Sequence, residues 1–173
     1  MSIKIIDDNL FHSQARFIVH QVNCQGVMGS GVAQQIRMKY PHVFIEYKKI
    51  CSIDMLGKIQ VVPCNPKLLH TTIDNHCGDI IRHPVGTQFI INAFAQANFG
   101  YDGKQYTNIE TLEKCFKSIY ALTRQKNNNF NATIAMPWKI GCCRGGANWN
   151  DVYQMIQEIF VHTQVELWRL DNG

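Results

Sequence analysis

The stretch Phe17-Ile-Val-His-Gln-Val-Asn-Cys-Gln-Gly-Val-Met-Gly-Ser-Gly-Val-Ala-Gln-Gln-Ile-Arg-Met-Lys-Tyr40 decides the reading of the fold. Phe17, Ile18 and Val19 open it as an apolar, β-branched run of the kind that forms a buried strand. Gly26, Gly29 and Gly31 then crowd into six residues. Such a turn lets several backbone N–H groups gather close to a ligand. Val32 and Ile36 carry the chain on as a helix, whose first N–H groups and positive dipole end face the same turn. Strand, glycine turn and helix N-terminus make an anion site suited to a phosphate or diphosphate. Gly-Val-Met-Gly-Ser-Gly is neither Gly-x-Gly-x-x-Gly nor a Walker loop. On spacing alone, a tight turn that binds nothing fits equally well. His20 and Asn23 shift the balance, because they stand at the carboxyl end of a strand, where open α/β sheets place ligands.

Outward from this stretch, strands and helices interleave. Ile3, Ile5 and Ile6 form a short strand ending at Asp7-Asp8-Asn9. Pro41 starts a second helix with Val43, Phe44, Tyr47 and Ile50 on one side. Gly57 to Pro63 is the next strand. From Cys64 to about residue 87 the pattern decays into turn signals, an irregular insertion. Gln88 to Phe94 is a strong buried strand, followed by a polar, aromatic, glycine-rich loop. Thr107-Asn-Ile-Glu110 has the form of a capping box and opens a helix carrying Leu112, Phe116 and Ile119. A turn at 126–131, a strand from Thr133 to Met136 and a second glycine-rich loop, Pro137 to Ala147, come next. Asn148 caps the last helix, and Val165 to Leu170 alternates as the final strand. This order predicts one α/β domain over 1–173, with a mixed, mostly parallel sheet between two helical layers.

Composition narrows the function. At 173 residues, 46% hydrophobic and 17% charged, the chain is a globular domain with a real core. A net charge of +4 suits an anionic ligand, but the basic residues are scattered and no nucleic-acid footprint is expected. Seven cysteines without framework spacing, no secretory leader and no long apolar span predict free thiols in a cytoplasmic protein, with no membrane association. Cys64, His70, His76, Cys77 and His83 lack the paired spacing of zinc ligands, so no metal and no cofactor is expected.

With these motifs in view, the chain resembles the macrodomain family, the ADP-ribose-binding α/β/α module. Val19-His-Gln-Val-Asn-Cys-Gln-Gly26, Gly29-Ser-Gly-Val-Ala33, Lys39-Tyr-Pro41 and Met136 to Trp149 carry the resemblance. It is closest to the branch of the yeast-type ADP-ribose 1''-phosphate phosphatase and the terminal ADP-ribose glycohydrolases. The resemblance implies a monomer that takes ADP-ribose or a derivative as ligand. It implies a first phosphate loop at Gly29, Ser30, Gly31 and Val32, and a second at Gly141, Cys142, Cys143, Arg144, Gly145, Gly146 and Ala147. Gln21, Cys24, Met28, Gln96, Pro137 and Ile140 complete the implied binding set. Arg144 is a candidate phosphate partner, or a solvated surface residue. The position of the adenine-binding acid falls on Asn9, which still offers an acceptor oxygen, with Asp8 beside it as the preferred candidate; Asp7-Asp8-Asn9 also reads simply as a turn.

For chemistry, the resemblance puts His20 in the catalytic position and Asn23 where it would orient the distal ribose or a water. An imidazole can move a proton near neutral pH, whereas a strand-end histidine can also be a mere spacer. The glycohydrolases use a lysine nucleophile where this chain has Gln96, and an aspartate where it has Gly145. Neither replacement can do that work, which argues against lysine-dependent removal of ADP-ribose. A replacement acid could come from Asp102, or from Asp7 or Asp8, although Asp102-Gly103 is more often just a turn. The expected activity is hydrolysis of ADP-ribose 1''-phosphate, with deacetylation of O-acetyl-ADP-ribose second. A module that binds ADP-ribose or a related nucleotide signal without turnover is the rival, and an RNA- or nucleotide-binding protein is a third reading.

Overall fold

The computed structural model describes residues 2–71, 83–125 and 132–170. Six strands form the sheet: β1 (Ser2–Asp7), β2 (Phe17–Asn23), β3 (Ile59–Pro63), β4 (Phe89–Gln96), β5 (Ile134–Pro137) and β6 (Gln164–Arg169). Their order is β1-β6-β5-β2-β4-β3, with every pairing parallel except the antiparallel β3–β4 pair. Four α-helices accompany them: α1 (Gly31–Lys39), α2 (Pro41–Ile50), α3 (Ile109–Thr123) and α4 (Trp149–Ile159). The expected mixed, mostly parallel sheet is therefore present.

Alternation along the strands builds the layers. Phe17, Val19, Phe89, Ile91, Ile134, Met136, Val165 and Leu167 point to one face, where Leu112, Phe116 and Ile119 of α3 and Val152 and Ile156 of α4 cover them. Ile18, Ile90, Ala135 and Trp168 point to the other, against Ile36 of α1 and Val43 of α2. Burying each large side chain fully contributes about 1.5–3 kcal/mol, so the central strands, sealed on both faces, form a rigid platform.

The helix starts differ from expectation in one place. Asn108 caps α3 by accepting from the Thr111 N–H, one residue beyond the expected Thr107. Thr107 is instead buried and belongs to the site described below. Asn148 caps α4 as expected, accepting from the Asn150 and Asp151 N–H groups. The excursion after β3 begins with a 3-10 helix (Pro66–Thr71), and its ends meet where Cys64 N–H donates to Gln88 O at 2.9 Å. The side chains of His70, His76 and Cys77, and the turn at 126–131, lie outside the described residues.

Strand order fixes where a ligand can sit. From β2 the chain proceeds toward β3 and β4 on one side, and from β5 toward β6 on the other. The connections leaving these two neighbouring strands thus run to opposite sides, and such a switch point opens a crevice beyond their carboxyl ends.

Candidate functional site

A cleft of about 240 Å³ opens at that switch point. Its walls come from the end of β2, the turn into α1, Gln96 at the end of β4, the aromatic loop after it, and the loop after β5. Lys139 and Arg144 contribute cationic side chains, and no Asp or Glu is among the lining residues. The cleft is thus chemically prepared for an anion.

The first glycine turn delivers the start of α1 to the cleft, which Gly29, Ser30, Gly31, Val32 and Ala33 line. Ser30 at the N-cap makes no side-chain capping bond. The first N–H groups of α1 are therefore not capped by their own sequence, unlike those of α3 and α4.

The second glycine loop is stapled to the aromatic loop. Tyr106 and Thr107 both donate backbone N–H to Gly145 O, at 2.8 and 2.9 Å. The Thr107 hydroxyl donates to Gly141 O at 2.7 Å and accepts from Gln21 Nε2 at 2.8 Å. Gln21 Nε2 also donates to Gln96 Oε1 at 2.5 Å. Gly141 sits at φ 76°, in the left-handed region. Gly145 faces the Thr107 hydroxyl, Gly141 O and the Gln21 amide so closely that an added Cβ could not fit. The place of the glycohydrolase-type acid is therefore taken by a threonine–glutamine network. Gln96 is a member of that network and could not act as a nucleophile.

His20 lies on the cleft floor and is 1% exposed. Its Nε2 is 2.5 Å from Asn92 Oδ1, and Asn92 Nδ2 donates to Gln60 Oε1 at 3.0 Å. A carbonyl oxygen can only accept, so His20 Nε2 carries the proton and Nδ1 is the acceptor. Nδ1 is buried without a hydrogen-bond partner. Burial pushes the imidazole down to about 4, against the opposing effect of the Asn92 bond. His20 is thus neutral at pH 7, with its basic nitrogen uncommitted.

Asn23 lines the cleft, but its side chain already holds the first turn together. Its Oδ1 accepts from the Gln25 and Val27 N–H groups and from the Tyr47 hydroxyl, and its Nδ2 donates to Val27 O. The expected role in orienting water is left at most one free N–H.

Several expected residues stand outside the cleft lining. Asp102 is exposed; its carboxylate accepts from the Tyr106 hydroxyl at 2.7 Å and pairs with Lys104. The Tyr106 bond leads the effects that lower its pKa, so Asp102 is a poor candidate acid at neutral pH. Asp8 accepts from the Asn9 N–H and contacts His12, and Asn9 accepts from the Phe11 N–H to cap the 3-10 turn Leu10–His12. Cys24 and Met28 are buried with Val22, Tyr47 and Phe94. Cys142, Gly146 and Ala147 are absent from the wall, while Gln21, Gln96, Pro137, Ile140, Gly141, Cys143, Arg144 and Gly145 are on it.

Sequence reasoning missed other wall residues. Phe99 and Tyr101 are exposed aromatics on the cleft wall, and the Arg144 guanidinium lies 4.4 Å from the Tyr101 ring centroid. Their exposure was visible only in the fold, although an aromatic–glycine loop after a buried strand was the available signal. Lys139 adopts φ 58°, the left-handed region, alone among the described non-glycine residues. Trp138 beside it packs against Trp149 at 4.8 Å. Among the described residues no group of three or more His, Cys, Asp or Glu could hold a metal ion.

Comparison with known proteins agrees with this geometry. The family model described as "Macro domain" matches residues 19–156. A DNA ADP-ribosyl glycohydrolase of Mycobacterium tuberculosis is 27% identical over 154 residues, covering 88% of this chain and 37% of the relative. The chain therefore spans little more than a third of that relative. The ADP-ribose 1''-phosphate phosphatase of Saccharomyces cerevisiae is 35% identical over 54 residues, 30% of either chain. Among solved structures, Thermosipho africanus DarTG in complex with ADP-ribose superposes with a TM-score of 0.72 at 17% identity, covering 100% of this chain and 43% of that one.

Proposed function

The chain belongs to the Macro domain family, and on that premise we propose that its cleft binds ADP-ribose and hydrolyses ADP-ribose 1''-phosphate to ADP-ribose and phosphate. The observation that carries this reading is the combination on one cleft of Lys139, Arg144 and His20, whose buried Nδ1 has no hydrogen-bond partner, with no carboxylate on the wall. The start of α1 and the two glycine loops suit the diphosphate. Lys139 and Arg144 offset the charge of a terminal phosphate, which favours a phosphate ester over an uncharged acetyl ester.

In this mechanism His20 Nδ1 takes a proton from a water as the water oxygen bonds to phosphorus. The bond from phosphorus to the anomeric oxygen breaks, and that oxygen leaves with ADP-ribose and is protonated by solvent. Asn92 Oδ1 continues to accept from Nε2–H in the imidazolium that forms.

Glycohydrolase relatives share more of the chain than phosphatase relatives do. Two features weigh against carrying over their named activity: Gln96 in place of a nucleophile and the filled space at Gly145. A second reading, binding without turnover, is favoured by the internal hydrogen bonding of Asn23 and the deep burial of His20. Phosphorus NMR of the chain with ADP-ribose 1''-phosphate, beside an assay for ADP-ribose release from modified DNA, separates the readings. Free phosphate from ADP-ribose 1''-phosphate, with no ADP-ribose released from the modified DNA, supports the phosphatase. Release from DNA overturns it, and tight binding with neither product supports the binding module.

A further inference from the structure

Gln60, Asn92 and His20 form a polar row across three adjacent strands. In the sheet register Gln60 of β3 stands opposite Asn92 of β4, and Asn92 beside His20 of β2. Val62, Ile90 and Ile18, two residues along each strand toward the other end of the sheet, lie in the apolar cluster under α1 and α2. Val22 and Phe94, two residues the other way, lie in the cluster with Tyr47. The row is therefore a polar strip between two apolar clusters, with Gln60 and Asn92 at 0% exposure.

Such a strip is costly. Taking an amide from water without full compensation costs roughly 1–3 kcal/mol, and both ends of this row are uncompensated. Gln60 Nε2 has no hydrogen-bond partner, and neither has His20 Nδ1. Three aliphatic residues would satisfy the packing with no orphaned atoms. What the row achieves is orientation: Gln60 Oε1 fixes which end of the Asn92 amide faces His20, and Asn92 Oδ1 fixes which imidazole nitrogen holds the proton. His20 is the member of the row that lines the cleft.

We propose that Asn92 and Gln60 are positioning residues, which hold His20 as its Nε2–H tautomer so that Nδ1 is the proton acceptor of the cleft. This rests on the phosphatase reading for its consequence, since Nδ1 must be unprotonated to take a proton from water. Its tautomer can be measured without substrate. Reversing both amides would leave the row equally bonded but put the proton on Nδ1, where His20 could only donate to the cleft. The two arrangements are therefore distinct experimental states.

The test is two-bond nitrogen–proton NMR of the His20 ring in the free wild-type chain at neutral pH, then in Asn92→Leu and Gln60→Met. The expected wild-type spectrum is that of a single Nε2–H tautomer. Gln60→Met, which keeps Asn92, is expected to give a mixture, and Asn92→Leu a larger loss of preference. With ADP-ribose 1''-phosphate, both variants are expected to lose roughly 10-fold or more in kcat, part of the roughly 10²–10⁴-fold a general base supplies. KM is expected to stay within about threefold, because neither residue lines the cleft. A wild-type Nδ1–H tautomer, or a pure Nε2–H signal surviving in both variants, overturns the proposal even if turnover is found. The expected tautomers in a chain that turns nothing over uphold the orientation and overturn the phosphatase reading.

Discussion

The Thr107 hydroxyl fills the space that any side chain on Gly145 would need, with Gly141 O and the Gln21 amide closing the remaining sides. This links a helix approach on one loop to the missing acid on another. Gly145→Asp is therefore expected to destabilise the chain by about 1–3 kcal/mol, the usual cost of overpacking. The double change Gln96→Lys and Gly145→Asp is expected to release no ADP-ribose from modified DNA. Thermal unfolding and a release assay check both parts. Thr107→Ala should recover some of the lost stability, but not all, since Gly141 O remains in the way.

His20 gives the chain a defined acid sensitivity. Its folded pKa is lowered to about 4, against 6.5 for the free side chain. Between these values the unfolded chain binds more protons, so stability falls as pH drops from about 6.5 toward 4. The contribution at neutral pH, about 3 kcal/mol from the size of that shift, is fully present above 6.5. His83 is lowered in the same direction by burial, so the comparison should be wild type against His20→Gln across this window. A shallower acid loss in the variant is expected. On the proposed mechanism, the acidic limb of kcat/KM is expected near 4, not near 6.5.

Lys139 combines strain with charge. Its left-handed backbone costs an ordinary residue roughly 1–2 kcal/mol that glycine does not incur. Lys139→Gly is expected to raise the unfolding midpoint while weakening ADP-ribose binding. Arg144→Ala is expected to weaken binding without the gain in stability. In both variants calorimetric affinity should depend less on salt than in the wild type.

Much of the fold was legible because its signals are local. Phe17 to Val19 and Gln88 to Phe94 are apolar runs bounded by polar turns, and each became a central strand. Asn148 and Asp151 marked the last helix start at its true residue. The α3 cap was misplaced by one because Thr107 and Asn108 are both good capping residues. Only the tertiary contact of Thr107 with Gly141 and Gln21 decides between them.

The site was less legible, since a wall is made by residues distant in sequence. The two glycine loops were visible as loops, and Gly29 to Val32 and Gly141, Arg144 and Gly145 do line the cleft. Cys24 and Met28 share the first motif, but their side chains turn into the core. Asp102 looked available as an acid because its pairing with Tyr106 and Lys104 depends on the loop's conformation. Gln60 and Asn92 gave no signal at all; one polar residue in an apolar strand acquires meaning only when the register sets it beside His20.

The most direct test of the central claim is phosphate release from ADP-ribose 1''-phosphate by wild type and His20→Ala, with ADP-ribose affinity measured calorimetrically on both. The expected result is turnover by the wild type, a loss of roughly 10²–10⁴-fold in His20→Ala, and ADP-ribose affinity that changes little. Equal turnover by both proteins would contradict the assignment of His20 as the proton acceptor, and no turnover by the wild type would contradict the hydrolase itself.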